Sequence, residues 1–202
     1  MTRSSSAARL LAIGTSLLLA VPSPGTAAET VAVTSREEAD GRWTLVHEIL
    51  VAAPIGDVWT AISTAQGWMT WAVPLARTLP GDPDLLETSY DPDAEPGGPD
   101  TIQQRFTARI PGRLLAYRTV KAPDGFPHWE AYRQVTNLFE LESVGAQTRV
   151  RLTSTGYPAD DAGRALVAFF TRGNAVTLEA LQKRFRDGPI DWAATDGQAP
   201  RD

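Results

Sequence analysis

The segment that most constrains this chain lies near its C-terminus. Val167, Phe170, Asn174, Leu178, Leu181 and Phe185 recur at spacings of three and four, which places them on one face of an α-helix. Both helix ends are marked. Asp160 and Asp161 stand where carboxylates favour an N-terminus, and Lys183, Arg184 and Arg186 stand where cations favour a C-terminus. Gly188 followed by Pro189 then stops the helix. A helix of this length, about 40 Å, is stable only if its apolar face is covered by a broad partner surface.

The preceding sequence supplies that surface as strands. From Arg42 to Ala52, Trp43, Leu45, His47, Ile49 and Val51 share one parity, which predicts a long strand. Pro54 then suits the first turn of a short helix carrying Val58, Trp59 and Ile62. Ser63 with Gln66 three residues later has capping-box spacing for a second short helix through Gly67, Trp68, Met69 and Trp71. The proline-rich stretch from Asp91 to Asp100 reads as a loop beside a short strand around Leu85 to Tyr90. Four more strands follow, over 101–110, 113–121, 129–142 and 147–155, divided by turns at Pro111-Gly112, Pro123-Asp124-Gly125 and Gly145. Such short connections favour antiparallel neighbours. The expected class is α+β: one strand, two short helices, an antiparallel sheet and a long closing helix.

The N-terminus has a separate character. Arg3 and Arg9 precede an apolar run from Leu10 to Val21, and Pro22, Ser23 and Pro24 lead into the small residues Gly25 to Ala28. This is the order of a secretory signal peptide, with cleavage expected near Ala28. The run is too short to span a bilayer, which takes about 20 residues, so no integral span is expected in the mature chain. Residues 29–202 are then a single domain, periplasmic or secreted.

Charge and composition narrow the chemistry. The formal charge is −5, becoming −7 once Arg3 and Arg9 leave with the leader, so nucleic acid is not an expected partner. Cysteine is absent, which excludes disulfides, thiol catalysis and Cys-ligated metals. There is no G-x-S-x-G, H-E-x-x-H, G-x-x-x-x-G-K-[ST] or G-x-G-x-x-G pattern. Asp91, Asp93 and Glu95 imitate the start of a calcium loop, but Pro96 and Ile102 occupy the positions that require Gly and a bidentate Glu. Neither a metal nor a cofactor is expected.

Two stretches carry a resemblance. VAAPIGDVWTAISTAQGWMTWAVP, from Val51, and FELESVGAQTRVRLTSTGYP, from Phe139, are similar to the opening and the paired final strands of the C-terminal domain of the activator of heat-shock protein ninety ATPase homologue. That family lies within the SRPBCC (START-like) superfamily. The resemblance implies the helix-grip fold, in which a curved antiparallel sheet wraps a long C-terminal helix. It also implies a deep pocket between sheet and helix that receives a hydrophobic small molecule or lipid. The cochaperone role suggested by the family name conflicts with an exported N-terminus.

Candidate ligand contacts follow from parity. Val135, Phe139 and Leu141 fix an inward face that also carries Trp129, Arg133 and Asn137. Polar groups on a core face need partners. Arg133, Asn137 and Asn174 are therefore candidates to orient the polar end of an apolar ligand, Arg133 suiting a carboxylate or phosphate through its bidentate donors. His47 shares the parity of Leu45 and Ile49 and is a candidate buried polar group or proton carrier. Trp59, Trp71, Trp129, Phe139 and Phe170 are candidate pocket walls. No catalytic residue is assigned. The expected function is binding or carriage of a hydrophobic small molecule or lipid; the alternatives are a polyketide cyclase or aromatase-like enzyme using the same pocket and a periplasmic protein-interaction domain.

Overall fold

A computed structural model of the chain describes residues 30–194; the leader and the expected cleavage site near Ala28 lie outside them. Eight strands form one antiparallel sheet: β1 (Ala32–Glu37), β2 (Trp43–Val51), β3 (Leu75–Leu79), β4 (Asp82–Ser89), β5 (Ile102–Ile110), β6 (Leu114–Lys121), β7 (Thr136–Val144) and β8 (Gln147–Tyr157). Their spatial order is β1-β2-β8-β7-β6-β5-β4-β3. Helices α1 (Ile55–Ser63) and α2 (Ala65–Met69) carry the chain from β2 to the far edge of the sheet. Helix α3 (Trp129–Tyr132) interrupts the β6–β7 connection, and α4 (Asp161–Asp187) packs against β2 and β8.

This is the helix-grip architecture. On β2, Leu45, His47, Ile49 and Val51 are all at most 2% exposed, as alternation requires when one sheet face is covered. Leu178 and Leu181 of α4 are fully buried against Ile49, Leu152, Phe139 and Leu115. Each contributes about 2–3 kcal/mol by burial. The caps of α4 fall where the sequence placed them: Asp160 Oδ1 accepts from the Gly163 N–H at 2.8 Å, and Gly188 ends the helix at φ +97°.

Two strands escape the sequence pattern. β1 is exposed along its whole length, so it has no apolar face to announce it; its pairing with β2 makes it a strand. β3 is five residues at the opposite edge, paired only with β4. The second short helix is capped by Thr64, whose Oγ1 accepts from Gly67 N–H at 2.9 Å, and not by Ser63, which is the last residue of α1. At Gly67 the two helices meet so closely that an added Cβ would lie 2.2 Å from the Thr60 carbonyl oxygen.

The tryptophans of this corner answer a local need. The final carbonyls of a helix have no partner within it. Here the indole N–H of Trp71 donates to Ala61 O at 3.0 Å and that of Trp68 to Ile62 O at 2.7 Å. Both rings are buried and lie 5.2 Å apart. Trp192 N–H donates to Met69 O, and the Ile190 N–H to Thr70 O, so the chain beyond α4 is tied to α2.

At the other end, Glu87 is 1% exposed and ionised. Burial opposes its charge, but hydrogen bonds from Gln103, Arg77 and the Gly97 N–H hold its carboxyl below the usual range. Arg77 also donates to Ala94 O, so this one carboxylate fastens the 91–100 loop to the sheet.

Candidate functional site

The site is built from the β6–β7 connection, the N-terminal half of α4 and the inner face of the sheet. The strand expected over 129–142 begins only at Thr136; Trp129–Tyr132 is a turn of helix. The ladder explains this. Thr136 pairs with Thr155, but Gly156 takes φ +93° and the next pairing of β8 is Tyr157 with Trp43 of β2. On the other side β6 pairs no further than Tyr117 with Asn137. With no strand to bond, residues 129–135 satisfy their backbone locally, Arg133 N–H on Trp129 O and Val135 N–H on Tyr132 O. His128 starts the turn at φ +56°, the only non-glycine with positive φ among the described residues, at a cost of about 1–2 kcal/mol.

The connection lies over the sheet–helix space as a lid. Tyr132 stacks on Phe170 of α4 with centroids 4.7 Å apart, and Phe126 lies 5.2 Å from Tyr132 and 6.3 Å from Phe169. With Leu45, Val135, Tyr157 and Leu166, the Phe126, Tyr132 and Phe170 rings form a second apolar cluster, separate from the main core, while Phe169 is exposed at its edge. The pocket implied by the resemblance is thus occupied at this end by the chain's own rings. A surface cleft of about 540 Å³ runs along the seam between lid and α4, lined by His128, Trp129, Glu130, Pro158 and Asp160 among others.

Beneath the lid the inner face is polar and uncharged. Leu45, Ser154, Asn137 and Tyr117 are cross-strand partners in one row over β2, β8, β7 and β6. Ser154 Oγ donates to Asn137 Oδ1 at 2.6 Å and accepts from Asn174 Nδ2 at 3.1 Å, joining two strands to α4. His47 Nε2 lies 2.9 Å from the Thr171 carbonyl oxygen. A carbonyl only accepts, so the proton is on Nε2 and Nδ1 is a lone-pair acceptor. Burial pushes the His47 pKa down, against the opposing pull of the Thr171 bond, and the ring is neutral.

Three phenols complete the site. Burial raises the pKa of Tyr117, Tyr132 and Tyr157, and Tyr117 is raised further by its closeness to the other two. All three are neutral hydrogen-bonding groups. Thr119 Oγ1 donates to the Tyr132 hydroxyl at 3.3 Å. The Tyr157 hydroxyl lies near Ser154 but outside hydrogen-bond geometry. Together with His47 Nδ1 and Gln104 Oε1 it is buried without a partner.

The structure therefore gathers some of the sequence-derived residues and disperses others. His47, Asn137, Asn174 and Phe170 come together, with Phe139 stacked 6.2 Å from Tyr117. Arg133 does not share the inward face assigned to it; it ends α3, points to solvent and pairs with Glu130 at 3.5 Å. Trp129 flanks Tyr132 on the lid and lines the outer cleft. Trp59 and Trp71 belong to the main core, around α1 and α2. Sequence reasoning passed over Ser154, Tyr117, Tyr132 and Tyr157. Ser154 was findable, because it shares the parity of Val150 and Leu152.

The profile of the family described as polyketide cyclase / dehydrase and lipid transport matches residues 42–186. The chain belongs to this family. Its fold is similar to those of several solved structures. The Aha1 dimer from Colwellia psychrerythraea matches with a TM-score of 0.53 at 22% identity, covering 72% of this chain and 97% of that one. A protein from Arthrobacter aurescens gives 0.58 at 16%, covering 79% and 93%. DynU16, from the dynemicin biosynthetic locus, gives 0.54 at 14%, covering 72% of this chain and 48% of that one. No curated protein is significantly similar in sequence. At these identities the structural likenesses speak for the fold alone. No described helix is long and apolar enough to cross a membrane.

Proposed function

We propose that this family member binds or carries a hydrophobic small molecule or lipid, without covalent chemistry, between the inner sheet face and the first half of α4. We propose further that it is exported, with residues 1–28 as its leader. The observation that carries the binding reading is the lid. Its Phe126 and Tyr132 rings sit on Phe170, in one cluster with Tyr157, whose buried hydroxyl has no partner. A ligand would take the place of these rings and meet that hydroxyl. Family membership supports the same reading.

The neutral dye Nile red tests it. Closure by the lid lowers apparent affinity by the fraction of molecules that are open. Tyr132→Ala should therefore bind Nile red about threefold or more tightly than the natural chain, with blue-shifted emission in both. Native mass spectrometry of the protein from its own host should show a retained small molecule. A chain that is always empty and binds no dye, with Tyr132→Ala equally inert, would favour a protein-interaction domain. N-terminal sequencing of the exported protein should begin near residue 29; an intact leader in the cytoplasm would refute export.

A cyclase or aromatase-like enzyme is the second reading, favoured by His47 Nδ1, a free proton acceptor beside neutral donors. Carriage returns the ligand unaltered. Catalysis would turn it over, with a pH profile reporting the His47 ring.

A further inference from the structure

The polar half of this site sets which ligands it admits. We infer that the site selects neutral, oxygen-bearing apolar molecules over those with a carboxylate or phosphate end, and that His47 Nδ1 and the Tyr157 hydroxyl read the ligand oxygen. The inference rests on the binding reading above and adds a ligand class and two recognition atoms.

Charge and open hydrogen-bonding positions set this preference. Among the described residues no Lys or Arg is buried, and the one buried carboxylate, Glu87, is bonded to Arg77, Gln103 and Gly97. Four cations of the elements around the lid are engaged elsewhere, and Arg172 on α4 is exposed. Lys121 donates to Gly98 O and Thr101 O, Arg118 to Gln134 O and Arg42 to Gly156 O, while Arg133 pairs with Glu130 in solvent. An anionic end placed among Asn137, Ser154, Asn174 and the phenols would lose its hydration with no counter-charge to replace it.

A neutral oxygen meets the opposite situation. His47 and Tyr157 are each fully buried. His47 Nδ1 accepts from a ligand hydroxyl, since its proton lies on Nε2 toward Thr171 O. The Tyr157 hydroxyl donates to a ligand carbonyl or hydroxyl oxygen. A buried polar atom without a partner is costly, so a ligand that supplies one gains what the empty protein forgoes. A hydroxyl on an apolar frame suits the bonding sense of both atoms, and a carbonyl that of the Tyr157 hydroxyl alone.

Matched probes on one ring frame test this at pH 7: naphthalene, 2-naphthol and 2-naphthoate, by calorimetry or tryptophan quenching. 2-Naphthol should bind at least about tenfold more tightly than 2-naphthoate. Tyr157→Phe should weaken 2-naphthol by about three- to tenfold and leave naphthalene unchanged. Its thermal midpoint should not fall, because the hydroxyl removed has no partner in the empty protein; that separates recognition from folding. His47→Gln should likewise weaken 2-naphthol and spare naphthalene. If 2-naphthoate binds as tightly as 2-naphthol, the inference fails while the binding reading stands. If 2-naphthol is preferred but neither substitution reduces it, the two atoms are wrongly assigned. If none of the three probes nor Nile red binds, the binding reading fails and this inference with it.

Discussion

Removal of one oxygen, in Ser154→Ala, tests the arrangement on which the site is built. Ser154 is fully buried, donates to Asn137 Oδ1 at 2.6 Å and accepts from Asn174 Nδ2 at 3.1 Å. Its loss strands an acceptor on β7 and a donor on α4 in a place where water does not replace them. Each stranded group costs about 1–3 kcal/mol, and the cavity left by a single oxygen adds little, so the expected loss is about 2–6 kcal/mol. For a domain of this size that lowers the thermal midpoint by roughly 4–24 °C. Urea unfolding followed by tryptophan fluorescence gives the free energy, and circular dichroism the midpoint. The triple substitution Ser154→Ala, Asn137→Leu, Asn174→Leu removes both stranded groups with their bridge. It should recover much of the loss, because replacing all partners by apolar groups is close to neutral. A cost below about 0.5 kcal/mol for Ser154→Ala, or a triple variant whose loss equals the sum of its parts, would refute the claim that this serine joins the sheet to α4.

Other substitutions separate structural from functional residues. Trp71→Phe leaves Ala61 O at the end of α1 without the indole donor and should cost about 1–3 kcal/mol in urea unfolding, with Nile red binding unchanged. Arg133→Ala, at an exposed side chain paired only with Glu130, should change stability by less than about 0.5 kcal/mol and leave dye binding as it was; a large loss of binding would return Arg133 to the site. Glu87 has a folded-state pKa below its ordinary value of 4.5. Its contribution is therefore present above that value and lost as pH falls through the lower, folded one. Glu87→Gln should flatten this acid limb in a pH series of urea midpoints, and an unchanged limb would refute the assignment. His47, lowered from 6.5 by burial, takes up a proton more readily when unfolded. Stability should decline as pH falls below about 6.5, and His47→Gln should remove that slope.

How much of this was legible in the sequence depends on whether the cause was local. The alternation in β2, β7 and β8 and the helical spacing of α4 are properties of short stretches, so they fixed the inward placement of His47, Asn137, Asn174 and Phe170 before any partner was known. The helix caps at Asp160 and Gly188 are local too. With the two motif stretches, these were enough to indicate the helix-grip order of elements.

The tertiary structure decided what depends on distant partners. Alternation runs unbroken through Trp129 to Val135, but no neighbouring strand continues there, so the chain turns into α3 and carries Arg133 outward. β1 is a strand because β2 lies beside it, and the core that buries Trp71 also brings the open carbonyl of Ala61 to its indole N–H. The His47 bond to Thr171 spans 124 residues and the meeting of Tyr117, Tyr132 and Tyr157 joins two strands and the lid. Periodicity states which way a side chain points; only the packed chain states what it meets there.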